Sequence, residues 1–268
     1  MTEYPMRLLK RVAKKIYRVT SAKLAPLNRK LDPASNFYLK SYAQEGEDII
    51  LNRIFEWKRD GFYVDVGAHH PHKYSNTYFF YLRGWRGINI DPLPGIMGAF
   101  NKLRPQDINL ELAVSSSKEK LIYNSFNEPA INGFSKELSK QRDNYLHFKL
   151  VSQRTIETHT LSEILATHLP PNKVIDFLSI DVEGLDYAVL KSNDWTKYRP
   201  TVVLVEDLEL HTIEDVNKSQ TILFMRSCGY VPLCKTPHTV FFIEEERLKI
   251  SPAGIGIDRT STTKGLAR

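Results

Sequence analysis

FYVDVGAHHPHKYSNTYFFYLRGWRGINIDPLP, residues 62–94, decides the architecture of this chain. Its opening, Phe62-Tyr63-Val64-Asp65-Val66, is rich in β-branched and aromatic residues and reads as a strand. A turn with Gly67 and Ala68 follows at once. Beyond Pro71 the pattern predicts a helix over 76–82, with Ser75 as its N-cap. Gly84 and Gly87 bracket a break, and a second strand, Ile88-Asn89-Ile90, ends on Asp91. Strand, glycine turn, helix, strand and acidic residue make one half of a nucleotide-binding α/β sheet. The glycine lets backbone approach a ligand, the helix N-terminus offers free N–H groups, and the strand-end carboxylate can accept bonds from ribose hydroxyls.

The turn also selects among nucleotides. A dinucleotide fold wants G-x-G-x-x-G here, so that a pyrophosphate can rest on the helix N-terminus. This chain has Gly67-Ala68-His69-His70-Pro71-His72, with a single glycine, which disfavours a nicotinamide oxidoreductase. Asp65, two residues before that glycine, would repel a pyrophosphate but could pair with an α-amino group. S-adenosylmethionine carries such an amino group and a ribose, and no phosphate.

Further segments extend the pattern: Tyr42-Ala43-Gln44-Glu45-Gly46-Glu47-Asp48, Ser75-Asn76-Thr77, Gly84-Trp85-Arg86-Gly87-Ile88-Asn89-Ile90-Asp91-Pro92, and Phe177-Leu178-Ser179-Ile180-Asp181-Val182-Glu183-Gly184. In this order and combination the chain resembles an FkbM-type methyltransferase over roughly residues 40–245. His69 and Pro71 stand where many members of that family have Asn and Gly. The resemblance implies a Rossmann-like class I methyltransferase sheet and S-adenosylmethionine-dependent O-methylation, often of sugars or secondary metabolites. It places the segment around Gln44 and Asp48 over the cofactor. Together with the turn, the cofactor-binding set is Gln44, Asp48, Asp65, Gly67, Ala68, Asn76, Asp91, Ser115 and Asp181. Gln44 and Glu47 could equally cap the helix that follows.

With 268 residues, 42% hydrophobic and 25% charged, one α/β domain is the natural count. No apolar run reaches membrane-spanning length and no secretory h-region opens the chain. Cys228 and Cys234 read as buried thiols, which fits a cytoplasmic protein. Residues 1–30 hold nine Lys/Arg against Glu3, a net +8, so the rest carries −2 of the total +6. Nucleic acid is therefore a poor partner for the body. Leu8, Leu9, Val12, Ala13, Ile16 and Tyr17 recur at helical spacing with basic residues opposite. Such a helix can lie on the anionic inner face of a cell membrane, dock on a partner, or pack on its own domain. The expected organisation is a basic extension and linker over 1–35, a methyltransferase domain over 36–248, and a flexible tail over 249–268.

Beyond Asp91 the pattern predicts a helix over 94–103, a third strand over 108–114 ending beside Ser115, and short strands near 121–123 and 153–157 flanking a polar insertion. A helix over 161–168 capped by Thr160 and an apolar strand over 174–181 follow. A helix over 186–191, a strand over 202–205, a long helix over 213–227 and an antiparallel pair, 230–233 with 239–243, complete a doubly wound, mostly parallel sheet.

Its strands end on Asp65, Asp91, Asp181 with Glu183, and Glu206 with Asp207. Sheet geometry sends these ends to one rim, which suits a cofactor bearing an ammonium and a sulfonium. Methyl transfer to an alcohol needs alignment and a base for the hydroxyl proton. Asp181, Glu183 and His69 are the catalytic candidates, with His70, His72 and His211 behind them. Asp181, Glu206 and Asp207 could also offer oxygens to Mg²⁺, although their spacing does not establish a metal site. The rival class is a non-catalytic Rossmann-like scaffold at a membrane, which would not need to keep every strand-end acid. The acceptor that the resemblance favours is a sugar hydroxyl of a glycan or glycoconjugate.

Overall fold

Strand β1 (Phe62–Val66) lies in the interior of a seven-stranded sheet, buried along its whole length. The computed structural model describes residues 38–55, 58–251 and 254–257. On one side β1 pairs in parallel with β2 (Arg86–Ile90), which pairs with β3 (Ile108–Leu110). One short strand and a hairpin intervene in the chain: β4 (Ala113–Val114), then β5 (Lys120–Phe126) with β6 (Leu150–His159). The chain then returns to the other side of β1 as β7 (Phe177–Ile180) and β8 (Val202–Glu206), both parallel. Strands β9 (Tyr230–Lys235) and β10 (Thr239–Glu244) close the sheet as an antiparallel pair, giving the order β3-β2-β1-β7-β8-β10-β9. The order reverses at β1, so the ligand crevice belongs beyond the carboxyl ends of β1 and β7.

The pleat sorts side chains onto two faces. Val64, Val66, Ile88, Ile90, Leu178, Ile180, Val203 and Val205 join one core. It is covered by helices α5 (Leu161–His168), α6 (Asp186–Lys191) and α7 (Gln220–Ser227). Tyr63, Phe177, Val202, Leu204 and Phe241 point the other way, onto Leu51 and Phe55 of the α1 (Glu47–Ile54) segment and onto Phe80 of α2 (Tyr78–Leu82). Asp65, Asn89 and Ser179 share this second face by the same alternation. Helix α3 (Met97–Leu103) follows β2, and α5 opens with a capping box between Thr160 and Glu163.

Several boundaries differ from the expectation. Residues 108–114 form two strands in different sheets, because Asp91 N–H bonds Leu110 O while Ala113–Val114 turn away to pair with β6. Helix α2 begins at Tyr78, with Ser75 Oγ accepting from Tyr78 N–H at 3.1 Å. The helix expected over 213–227 is a 3₁₀ turn, Ile213–Asn217, and then α7, which Ser219 caps anew. The polar insertion is a hairpin, β5 against β6, carrying a 3₁₀ turn at Pro129–Ile131 and helix α4 (Lys136–Arg142).

Within the expected C-terminal tail, β11 (Leu248–Ser251) pairs with β12 (Gly254–Ile257). Cys228 is half-buried and Cys234 exposed on the outermost strand, so the two free thiols are not core residues. The basic extension over 1–35 and the end of the tail, 258–268, lie outside the described residues. Among the described residues no helix is long and apolar enough to cross a membrane.

Candidate active site

The turn after β1 is pressed against the end of β7. Gly67 adopts φ +84°, and a Cβ placed there would lie 1.7 Å from the carbonyl oxygen of Asp181. Only glycine fits. Gly67 and Ala68 both donate their N–H to Ile90 O, which brings the turn beside Asp91. Asp91 Oδ2 accepts from His69 N–H and Oδ1 from Leu93 N–H, each at 2.8 Å. Two of its lone-pair sites are thus used and others remain for a ligand. Burial lifts its carboxyl to about 6 despite those two bonds.

These residues border a cleft of about 1030 Å³, counting space open to solvent. Of the expected set, Gln44, Gly67, His69, Asn76, Asp91, Asp181 and Glu183 line it. Asn76 is aimed by a bond from Nδ2 to Ser179 Oγ at 3.0 Å. Asp48, Asp65, Ala68 and Ser115 lie outside its lining.

Each of the four has a physical reason. Asp48 is fully buried, with Oδ1 accepting from Ser41 Oγ and Oδ2 from Tyr42 N–H, so it ties down the segment before α1. Asp65 points to the α2 face and accepts from Thr77 Oγ1 at 2.7 Å. Ala68 is buried against Met97 and Phe100. Ser115 follows Val114 by one residue and therefore faces the opposite way, its N–H bonded to His159 O.

Below the turn lies a buried polar network that the sequence reading missed. Arg104, wholly buried, donates to Pro71 O, Thr77 Oγ1, Asn89 Oδ1 and Ser75 Oγ. Asp107 closes it, accepting from Tyr63 Oη at 2.6 Å, from Gly87 N–H and from Asn89 Nδ2. Arg104 thus fastens the 71–77 loop to β2, and Asp65 joins through Thr77. No motif marked Arg104, because its acceptors come from the 71–77 loop and from β2, which meet only in the folded chain.

The opposite wall is acidic. Carboxylate oxygens of Asp181, Glu183 and Glu206 lie within 4.8 Å of one another. Asp181 sits deep among protein atoms yet faces the open cleft. Burial, then Glu183 and Asp186, push its carboxyl well up. Glu206 is pushed to about 11, by burial first and then by Asp181, Glu183 and Asp186. Three carboxylates this close cannot all ionise at neutral pH, so the cluster stores protons. Glu183 is also lifted by burial, and Arg142, with Nη2 2.6 Å from Oε2, pulls it back. Asp207 is turned away: it accepts from Glu209 N–H, Leu210 N–H and Ser219 Oγ, so it does not join Asp181 and Glu206.

Of the histidines, His69 faces the cleft at φ +50°, its Nε2 buried with no protein partner. Burial, then His70 and Lys73, lowers it to about 4, so the ring is neutral at physiological pH. His70 folds the turn, its Nδ1 accepting from His72 N–H and Lys73 N–H. His72 and His211 are exposed and outside the cleft lining, whereas His238, which the sequence reading passed over, lines it and pairs with Glu45.

The FkbM methyltransferase domain matches residues 65–232 of the chain. No curated protein and no solved structure matches it. The match spans more than half of the sequence, from the β1 turn through β7 and β8 to the start of β9, and the chain belongs to the FkbM methyltransferase family.

Proposed function

We propose that this family member moves a methyl group from S-adenosylmethionine to a hydroxyl, and that the acceptor is a sugar of a glycan or glycoconjugate. One observation carries the reading: a single cleft whose one wall is the Gly67 turn with Asp91 and whose other wall is Asp181, Glu183 and Glu206. The residues present fit the cofactor. Gly67 lets the turn close against Asp181 O and so brings both walls to the cleft, Asp91 keeps acceptor sites for ribose hydroxyls, and Ile90, Leu93, Leu112 and Val114 offer an apolar seat for a base. Bound there, S-adenosylmethionine would supply an electrophilic methyl on a sulfonium, with a neutral thioether as the leaving group.

The chain's own work is alignment and proton removal. Tyr123, Asn132 and Phe134 of the insertion line the cleft with aromatic faces and an amide, a set suited to the C–H faces and hydroxyls of a sugar. The acceptor's proton passes to an ionised carboxylate of the Asp181–Glu183 pair, whose raised affinity for protons makes it a better base than an ordinary surface acid. Glu206 holds its proton and limits the negative charge of the cluster. His69, neutral and with Nε2 unpaired, is the second acceptor within reach of the cofactor turn.

The charge of residues 1–30 supports a cytoplasmic protein held peripherally at the inner face of the cell membrane. Vesicles of anionic lipid should then retain the full chain more than a chain lacking residues 1–30. Incubation with methyl-labelled S-adenosylmethionine and a panel of glycans should yield an O-methyl sugar by mass spectrometry. Transfer to none of them by a protein that binds the cofactor would overturn the acceptor class.

A further inference from the structure

We infer that Arg142, on the helix of the β5–β6 insertion, is the positioning residue that aims Glu183 into the cleft as the proton acceptor. The inference rests on the methyl-transfer reading above. Helix α4 is capped by Ser135, whose Oγ accepts from Leu138 N–H at 3.3 Å. The insertion seats directly on the turn between β7 and α6. A Cβ at Gly133 would meet Glu183 Cβ and O at 3.0 Å, and one at Gly184 would meet Leu138 Cδ1 at 2.7 Å. Glycine on both sides of the contact lets the two backbones touch.

From this seat Arg142 Nη2 reaches Glu183 Oε2 at 2.6 Å, while Nη1 donates to Ile131 O at 3.2 Å. The side chains of Arg142 and Glu183 are only 21% and 14% exposed, so water screens the pair little. Glu183 itself adopts φ +57°, a costly conformation for a residue with a Cβ. Asp186 secures it from beneath, accepting from Val182 N–H and Gly184 N–H, each at 3.0 Å.

Asp181 and Asp186 around its own turn, Glu206 from β8, Tyr123 from β5 and His238 from the β9–β10 turn also face Glu183. Against these, Arg142 brings a permanent positive charge. It selects which carboxylate of the cluster is ionised and holds that carboxylate in one direction. A Lys could supply the charge but not the fork that also grips Ile131 O.

The test uses full-length Arg142→Gln and Arg142→Lys, assayed for kcat against pH, for binding of S-adenosylhomocysteine, and for Glu183 titration by ¹³C carboxyl resonance assigned with Glu183→Gln. In Arg142→Gln we expect kcat to fall about tenfold or more, with the acidic limb of the profile and the Glu183 titration rising together by about one pH unit. Affinity for S-adenosylhomocysteine should stay within about twofold, and Arg142→Lys, which restores the charge without the fork, should return the acidic limb and the Glu183 titration towards their native positions. An unmoved limb and titration in Arg142→Gln would overturn the inference whatever happens to KM, since Arg142 would then only anchor the insertion. Failure of the wild-type protein to bind S-adenosylhomocysteine strikes the parent reading instead, and it is seen before any variant is made.

Discussion

Replacing Glu206 by Gln should stabilise the folded protein at neutral pH, by an amount that grows as pH rises. Glu206 ends β8 with Oε2 buried and unpartnered, and burial with three neighbouring carboxylates lifts it from 4.5 to about 11. The folded state therefore keeps a proton that the unfolded chain releases above about 4.5. The sign follows: this group's contribution is fully present below the unfolded value and is lost progressively as pH rises towards the folded value. One extra proton bound in the folded state means a loss of about 1.4 kcal/mol per pH unit, so the cost at pH 7 approaches about 3 kcal/mol. That figure depends only on the folded value lying above 7. Gln keeps the shape and carries no titratable proton. Urea midpoints of both proteins between about pH 5 and pH 8 provide the measurement, urea being chosen because it does not screen charge. The two curves should nearly meet at the acid end and diverge upwards, with Gln the more stable. A gap independent of pH would refute the reasoning, because Glu206 would then ionise inside the folded protein.

Three further outcomes are expected. Gly67→Ala combines a left-handed backbone, costing about 1–2 kcal/mol, with overlap against Asp181 O that adds about 1–3 kcal/mol. Its urea midpoint should drop and calorimetric binding of S-adenosylhomocysteine should vanish. Arg104→Met leaves Asp107 and four acceptors without their buried cation, and should cost about 3–5 kcal/mol in urea unfolding; a loss below about 1 kcal/mol would mean the network is dispensable. Asp91, lifted to about 6, accepts ribose bonds best when ionised, so S-adenosylhomocysteine affinity should fall roughly tenfold from pH 7 to pH 5.

The parallel core was legible because buried strands such as Val202-Val203-Leu204-Val205 are apolar on both faces, and their carboxyl ends stand together at one rim. Gly67, Asp91, Asp181 and Glu183 were legible for the same reason, being the residues at those ends. Asp65 shows where this reading stops. It is a strand acid two residues before the glycine, yet the pleat turns it to the α2 face, where Thr77 takes it. A motif records spacing along the chain, whereas the face depends on the register of the strand. Arg104 was invisible because its four acceptors come from segments that meet only in the folded chain. The insertion was unreadable for a related reason: β6 has a single buried residue and half of it is exposed, and α4 gains its place from a glycine-to-glycine seat on β7–α6.

Calorimetric titration of S-adenosylhomocysteine into the full chain and into Asp91→Ala tests the central claim most directly. The account predicts micromolar binding to the native protein and a loss of about tenfold or more in the variant, as removal of a buried acceptor of charged hydrogen bonds requires. A native protein that is folded and binds no S-adenosylhomocysteine, or a variant that binds it equally well, would contradict the account.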